Sequence, residues 1–158
     1  MAIAINIEKS GEWEKVTYSG PINEEAEVHL NQLNSQLGPK VIINFKQVTL
    51  VNSCGVRGWV NFMRALEPNR QIVYEECTSE IVMQINMIPS FKGCADIQSV
   101  YGEFSCEECG HGSTILFEKG RNLPANELTE IEAVKCSKCG EDMEMEELED
   151  EFFAFVAA

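Results

Sequence analysis

The chain has 158 residues, which is enough for one domain of ordinary size with a small appendage. It carries 26 acidic against 12 basic residues and a net charge of −14, so its surface repels nucleic-acid phosphates and anionic membranes. It has no signal peptide pattern and no apolar run near the ~20 residues of a membrane span, so we expect a cytoplasmic protein without membrane insertion.

The beginning of the chain predicts a hairpin followed by a helix. Isoleucines over residues 3–7 alternate with smaller or polar residues, as in a half-buried strand. A second strand over residues 13–18 pairs back on the first and breaks at Ser19-Gly20-Pro21. Apolar residues at steps of four, three and four then predict an amphipathic helix that Asn23 caps and that Gly38-Pro39 stops.

The segment over residues 41–66 changes its periodicity from strand to helix. The apolar run 41–45 predicts a strand buried on both faces, and a short apolar step leads from it to Asn52-Ser53. The helix that follows has its apolar residues at Val56, Trp59, Val60, Met63 and Leu66. The Asn52-Ser53 junction therefore has unpaired backbone N–H groups and the positive end of a helix dipole, which stabilise an anion.

The next residues predict two more strands around another helix. Residues 71–75 form a strand, a helix capped by Thr78 or Ser79 ends at Pro89, and a last strand runs over residues 97–104. Helices that alternate with strands in this way are typical of a sheet covered by helices.

This order of elements predicts an α/β fold for residues 1–102. Right-handed crossovers place the helices against a mixed sheet of four to five strands. We expect Trp59 and Met63 in its core, together with Cys77 and Cys94 as small apolar residues.

Four cysteines, Cys106, Cys109, Cys136 and Cys139, form two Cys-x-x-Cys-Gly units that are similar to the turns of zinc ribbons. Two residues between cysteines let one tight turn direct both sulfurs at a metal, and the glycine permits a left-handed backbone. Four thiolates close the shell of one structural Zn²⁺, because no open position is left for water. We therefore expect a zinc-ribbon β-hairpin module over residues 103–145, in a reducing compartment.

Other interpretations of this module remain open. Iron in a rubredoxin-like site uses the same ligands. A redox dithiol fits less well, because the unit occurs twice and lacks a thioredoxin context. His111, directly after the first unit, is either a surface residue or a substitute ligand.

The last residues, 146–158, form an acidic and apolar tail. Residues 141–151 hold eight acidic side chains in eleven, which predicts a solvated arm. A second interpretation is that the tail docks on a basic partner. Its apolar contacts would then come from Met143, Met145, Leu148 and residues 152–155.

The junction Asn52-Ser53-Cys54-Gly55-Val56 resembles the signature of STAS domains, the family of bacterial anti-sigma-factor antagonists. The usual form in that family is Asp-Ser-Ser/Thr-Gly-Leu, and its first Ser is commonly phosphorylated by a partner kinase. The resemblance puts Ser53 at the phosphoacceptor position and Gly55 at the family glycine. Asn52 replaces the acidic residue, and Cys54 replaces the second hydroxyl residue. The resemblance covers roughly the first hundred residues, by order of elements as well as by motif.

The resemblance implies a protein-binding face around Ser53, formed by Asn23, Asn52, Ser53, Cys54 and Arg57. Asn23 stands in a loop where the family often has an acidic residue, although helix capping alone would also explain it. Capping would likewise explain Asn52-Ser53. A phosphate on Ser53 would add nearly two charges and disrupt a complementary interface by repulsion and desolvation.

These features predict a non-enzymatic bacterial signalling module that binds a regulatory protein partner and is switched at Ser53. Cys54 as a nucleophile would need a nearby base, and the two histidines, His29 and His111, fall in other predicted elements. One alternative function is a static scaffold, or a subunit of a larger assembly, that docks through the ribbon and the tail. Another is a zinc-ribbon nucleic-acid binder, which the net charge disfavours.

Overall fold

Nine strands and five α-helices are found within residues 2–157, the part of the chain that the computed structural model describes. The strands are β1 (Ala4–Ser10), β2 (Trp13–Ile22), β3 (Lys40–Asn44), β4 (Val48–Val51), β5 (Gln71–Glu75), β6 (Asp96–Ile97), β7 (Ser99–Ser105), β8 (Gly112–Glu118) and β9 (Glu144–Met145). The helices are α1 (Ala26–Asn34), α2 (Ser53–Leu66), α3 (Ser79–Met87), α4 (Pro89–Lys92) and α5 (Glu149–Phe152), and a 3-10 helix follows over Ala154–Ala157. None of the helices among these residues is both long and apolar enough to cross a membrane.

The first sheet has the strand order β1-β2-β3-β5-β6, with β4 paired to β2 beside this row. β1 and β2 form an antiparallel hairpin, whereas β2, β3, β5 and β6 run parallel to their neighbours. Because the parallel strands follow one another in chain order, right-handed crossovers carry the connecting helices over one face of the sheet. The predicted α/β class, with helices on a mixed sheet, is confirmed, and two very short strands bring the sheet to six.

β2 is longer than the sequence predicts. The strand continues through Gly20-Pro21, so the predicted break at Ser19-Gly20-Pro21 is wrong. The register with β4 shifts between Gly20 and Ile22, which lets the chain bend without leaving the sheet. Gly20 has a φ of +102°, and a Cβ there would lie 2.7 Å from the Ala2 carbonyl oxygen, so only glycine fits.

Helix α1 ends at Asn34, about one turn before the predicted stop at Gly38-Pro39. Leu37 is nevertheless buried in the turn and loop that follow. The guanidinium of Arg70 binds this loop by donating to the carbonyl oxygens of Leu37 and Gly38, each at 3.0 Å. One side chain thus satisfies backbone acceptors that the shortened helix leaves open.

The core under α2 contains the expected residues and several others. Trp59, Met63 and Leu66 are fully buried, whereas the predicted Val56 and Val60 are only half-buried. The buried face of α2 consists of Gly55, Gly58, Trp59, Phe62, Met63 and Leu66. The spacing of apolar residues in the sequence does not predict that the two glycines are buried. They are buried because other chain segments lie against them.

The two remaining core predictions have opposite outcomes. Cys77 is fully buried, as expected. Cys94 is exposed, so its assignment to the core is wrong. It lies in the turn after α4, where its backbone N–H donates to Glu67 Oε1 at 2.9 Å.

The second sheet is antiparallel and has the order β8-β7-β9. The sequence predicts one strand over residues 97–104, but the chain divides it between Ile97, which ends β6, and Ser99, which begins β7. The C-terminal limit expected for the α/β domain, residue 102, therefore lies inside β7. The hairpin partner of β8 is β7.

Short polar contacts join the two sheets where β5 ends. Glu76 has a φ of +49°, an uncommon conformation for a residue other than glycine, and its N–H donates to Ser99 Oγ at 2.7 Å. The N–H of Cys77 donates to the Ser99 carbonyl at 3.1 Å, and the N–H of Tyr101 donates to the Cys77 carbonyl at 2.8 Å. The buried residues of both sheets consequently belong to one continuous core.

The end of the chain packs on this core. The side chains of Phe152, Phe153 and Phe155 are buried, so they are not free to serve as docking contacts, and that part of the docking interpretation is wrong. The rings of Phe153 and Phe117 lie 5.2 Å apart. The Asn86 amide on α3 donates to the carbonyl oxygens of both Glu151 and Phe152 at 3.0 Å, although residues 149–151 are exposed.

We expect Phe153→Ala to lower the free energy of unfolding by about 3 kcal/mol, because it removes a buried ring from the contact with Phe117. The matched control is Leu148→Ala, which should change it by less than about 0.5 kcal/mol because Leu148 is 69% exposed. Urea denaturation of both variants measures the difference. Equal effects of the two substitutions would contradict the packed arrangement of the tail.

Candidate functional site

The first turn of α2 is capped by Asn52 and not by Ser53. Asn52 is extended, and its side-chain oxygen accepts a hydrogen bond from the Gly55 N–H at 2.8 Å. Its carbonyl accepts from the Val56 N–H at 2.9 Å. Ser53 is then the first residue inside the helix, and its hydroxyl lies outside the capping bonds.

Gly55 holds the start of α2 against the loop between β2 and α1. A Cβ built on Gly55 would lie 1.9 Å from the Ile22 carbonyl oxygen and 2.7 Å from the Asn23 nitrogen. The Asn52 N–H donates to the same Ile22 carbonyl at 3.1 Å. The absence of a side chain at Gly55 therefore brings this loop into contact with the helix terminus.

Asn23 lies in the turn before α1 and is not its N-terminal cap. Its side-chain oxygen accepts from the Glu25 N–H at 3.0 Å, and its carbonyl accepts from the Ala26 N–H at 3.0 Å. Glu25 occupies the cap position without a side-chain bond. The predicted capping by Asn23 is therefore displaced by two residues, because the side chain closes its own turn instead.

The five residues expected at the partner face occupy one region of the surface. Ser53, Cys54 and Arg57 lie within about 100° of one another around α2, and all three are exposed. Asn52 is exposed at the end of the helix, and the half-buried Asn23 belongs to the loop that contacts the helix at Gly55. We call these five residues the Ser53 face.

Glu24 is a member of this region that the sequence analysis missed. Its carboxylate accepts a hydrogen bond from the Asn52 amide at 3.2 Å. Its own backbone N–H and the Asn52 side chain lower the pKa of Glu24 below the ordinary value. A charged carboxylate therefore lies beside the start of α2, and no local pattern connects two residues so far apart in the sequence.

The two cysteine units fold into matching turns. In the first, the Gly110 N–H donates to the Cys106 carbonyl at 2.8 Å; in the second, the Gly140 N–H donates to the Cys136 carbonyl at 2.9 Å. Both glycines have positive φ angles, +77° and +79°, which the turn requires. The first turn lies between β7 and β8, and the second is closed by the bridge between Lys135 and Asp142.

The sulfurs of Cys106, Cys109, Cys136 and Cys139 lie within 4.8 Å of one another. The Cys106–Cys139 and Cys109–Cys136 sulfur distances are both 3.5 Å. A tetrahedral metal with bonds of about 2.3 Å to sulfur needs sulfurs about 3.8 Å apart, so the cluster fits such an ion. The four-cysteine cluster could therefore bind a metal ion without a ligand from His111, whose ring nitrogen lies 3.4 Å from Ser137 Oγ.

The pKa values of the clustered thiols differ with the groups around each sulfur. The N–H groups of Cys139 and Lys138 lower the pKa of Cys136 to about 6. The Glu141 N–H lowers the pKa of Cys139, but the neighbouring Cys106 thiol and burial outweigh it and raise this pKa to about 12. Four thiolates this close repel one another, and a divalent cation is the group that removes the repulsion.

No family model and no curated protein matches the chain. Among solved structures, the chain is similar to one described as the anti-sigma factor antagonist SpoIIAA in its unphosphorylated form, at a TM-score of 0.37 and 20% identity over 46% of this chain and 72% of that chain. The first part of the chain is a mixed sheet covered by helices, and the small antiparallel sheet carries the four-cysteine cluster.

We expect Gly55→Ala to lower the free energy of unfolding by about 3 kcal/mol or more, because its Cβ would overlap the Ile22 carbonyl. Gly58→Ala is the matched control on the same helix. Its Cβ would lie 3.4 Å from Glu27 Cβ, an ordinary contact, and alanine favours helix by about 1 kcal/mol over glycine. Urea denaturation should therefore separate the two variants. Similar stability of both would contradict the close approach at Gly55.

Proposed function

We propose that this protein is a non-enzymatic regulatory module that binds a protein partner through the Ser53 face and is switched by phosphorylation of Ser53. The observation that carries this proposal is the exposure of Ser53 in the first turn of a helix whose position is fixed by Gly55 and Asn52. An exposed hydroxyl on a rigid support is accessible to a kinase and also to a partner. The sequence resemblance to the STAS signature supports the same role.

Charges around Ser53 suit such a switch. The helix N-terminus stabilises an added phosphate, and Arg57 lies four residues later on the same side of the helix. The carboxylate of Glu24, hydrogen-bonded to Asn52, supplies the negative neighbour that the family signature carries at position 52 itself. A phosphate beside Glu24 would create a concentrated negative region, which would weaken a partner selected for the unmodified face.

We also propose that the four-cysteine cluster holds one structural Zn²⁺. Four sulfur donors, their tetrahedral spacing and the two matching turns support this ion. A shell closed by four thiolates has no open position for a substrate, so the ion would stabilise the second sheet and would not catalyse a reaction. Cys106 and Cys136 are buried, which ties the ion to the common core.

We expect the protein isolated from its native host to gain the mass of one phosphate at Ser53, in an amount that differs between growing and stressed cells. Intact-mass measurement with site mapping tests this expectation. The gain should be lost in Ser53→Ala and kept in Ser35→Ala, a control at another exposed serine. An unmodified Ser53 under every condition would contradict the switch.

The effect on binding is tested separately with partners captured on the unmodified protein. Ser53→Ala should retain such a partner, whereas Ser53→Asp should weaken it at least tenfold, since a negative charge enters the contact surface. Equal retention by both variants would contradict regulation at this face and favour the static scaffold.

We expect purified protein to contain about one zinc per chain, and the double variant Cys106→Ala with Cys136→Ala to contain none. The control variant Cys54→Ala with Cys94→Ala removes two exposed thiols outside the cluster and should keep the metal. Elemental analysis gives the metal content and distinguishes zinc from iron. Full metal content in the cluster variant would overturn the assignment.

A further inference from the structure

The second sheet carries a groove that shares no residue with the Ser53 face. It has a volume of about 350 Å³ and lies between the edge strand β9, the extended segment 131–134 and the turn before α5. Its apolar lining consists of Phe104, Ile131, Ala133, Val134, Met143, Met145 and Leu148. Its rim consists of Glu132, Glu144, Glu147 and Glu149, and we call the whole feature the acidic groove.

Backbone hydrogen bonds fix both walls of the acidic groove. The Met143 N–H donates to the Val134 carbonyl at 2.7 Å, which ties the extended segment to the floor. Met145 pairs with Phe104 across the second sheet, and the next N–H, that of Glu146, donates to the Glu103 carbonyl at 2.9 Å. The groove is therefore preformed, and a ligand would enter it without first ordering its walls.

All the charged side chains that line the acidic groove are negative. Among its lining residues, all of which the structure describes, four are glutamates and none is basic. Lys135, which follows the extended segment directly, pairs with Asp142 at 2.6 Å instead. The carboxylates on the rim are consequently not neutralised by the groove itself.

Two features of the groove are unfavourable in the isolated chain. Leu148 is 69% exposed although it borders an apolar lining. Partial burial, together with the charges of Glu103 and Glu146, raises the pKa of Glu147, which means that its ionised form is disfavoured there. A partner that covers Leu148 and brings positive charge would relieve both.

We propose that the acidic groove binds a basic amphipathic segment of a protein partner. Apolar side chains of the segment lie on the floor against the exposed Leu148 and the half-buried Ile131 and Met145, where the flexible Met145 side chain adapts to their shape. Its Lys and Arg side chains pair with the glutamates of the rim. Nucleic acids and anionic lipids are repelled by the same glutamates, and a small polycation would leave the apolar floor uncovered.

The test uses the zinc-loaded full chain and a fluorescein-labelled peptide of about 16 Lys and Leu residues arranged as an amphipathic helix. Fluorescence anisotropy at physiological salt measures its dissociation constant. A peptide of equal charge with Ser in place of Leu should bind at least tenfold more weakly, because it cannot use the floor.

Matched variants locate the site on the protein. Leu148→Ser should weaken the peptide about tenfold, whereas Leu128→Ser, at a residue that is 88% exposed outside the groove, should not. Glu147→Gln with Glu149→Gln should weaken it severalfold more than Glu8→Gln with Glu27→Gln, which removes the same charge from β1 and α1. Ser53→Asp should leave the affinity unchanged, so that this result is independent of the proposed switch.

Absence of binding, or equal effects of the groove variants and their controls, would overturn the proposal. Equal effects would mean that the peptide binds only through attraction to the overall charge of −14 and not at the groove. Circular dichroism and the zinc content of every variant verify that the fold is retained. The four substituted glutamates are exposed, so we expect no effect of their replacement on folding.

Discussion

The packing of Trp59 against the sheet is the interaction on which the rest of the structure depends. Its ring lies 5.2 Å from Phe45 and stacks at 5.7 Å on Phe91, while its N–H donates to the Tyr74 hydroxyl at 3.0 Å. The Tyr74 hydroxyl in turn donates to the Phe91 carbonyl at 2.6 Å. Because one buried side chain contacts the residue that follows β3, a residue of β5 and the short helix α4, the axis of α2 is fixed, and Ser53 at its start is fixed with it.

The second half of the chain is stabilised differently. Its sheet has only three strands and few large aliphatic residues, and the four-sulfur cluster and the buried phenylalanines of the tail provide much of its packing. The contacts of Glu76 and Ser99 continue the first sheet into the second. The ribbon is thus part of the common core, and its negative surface is held in a fixed relation to the Ser53 face.

Much of the candidate sites could be predicted because the signals are local. Asn52 caps α2 through a contact three residues away, and each Cys-x-x-Cys-Gly unit closes within five residues. The predictions failed where distant segments compete with a local signal. Gly20-Pro21 does not break β2, because pairing with β4 retains the strand there, and Cys94 is exposed because its turn bonds to Glu67.

The sequence by itself determined the alternation of strands and helices, the change of period at Asn52-Ser53 and the four-thiol donor set, since each depends on residue types at short, fixed spacings. Only the tertiary structure decided that Glu24 lies beside Asn52, that Phe153 is buried against Phe117, and that Leu148 borders a groove. These are contacts between residues far apart in the chain. No periodicity or spacing encodes them, because they arise only when folding brings distant segments of the chain together.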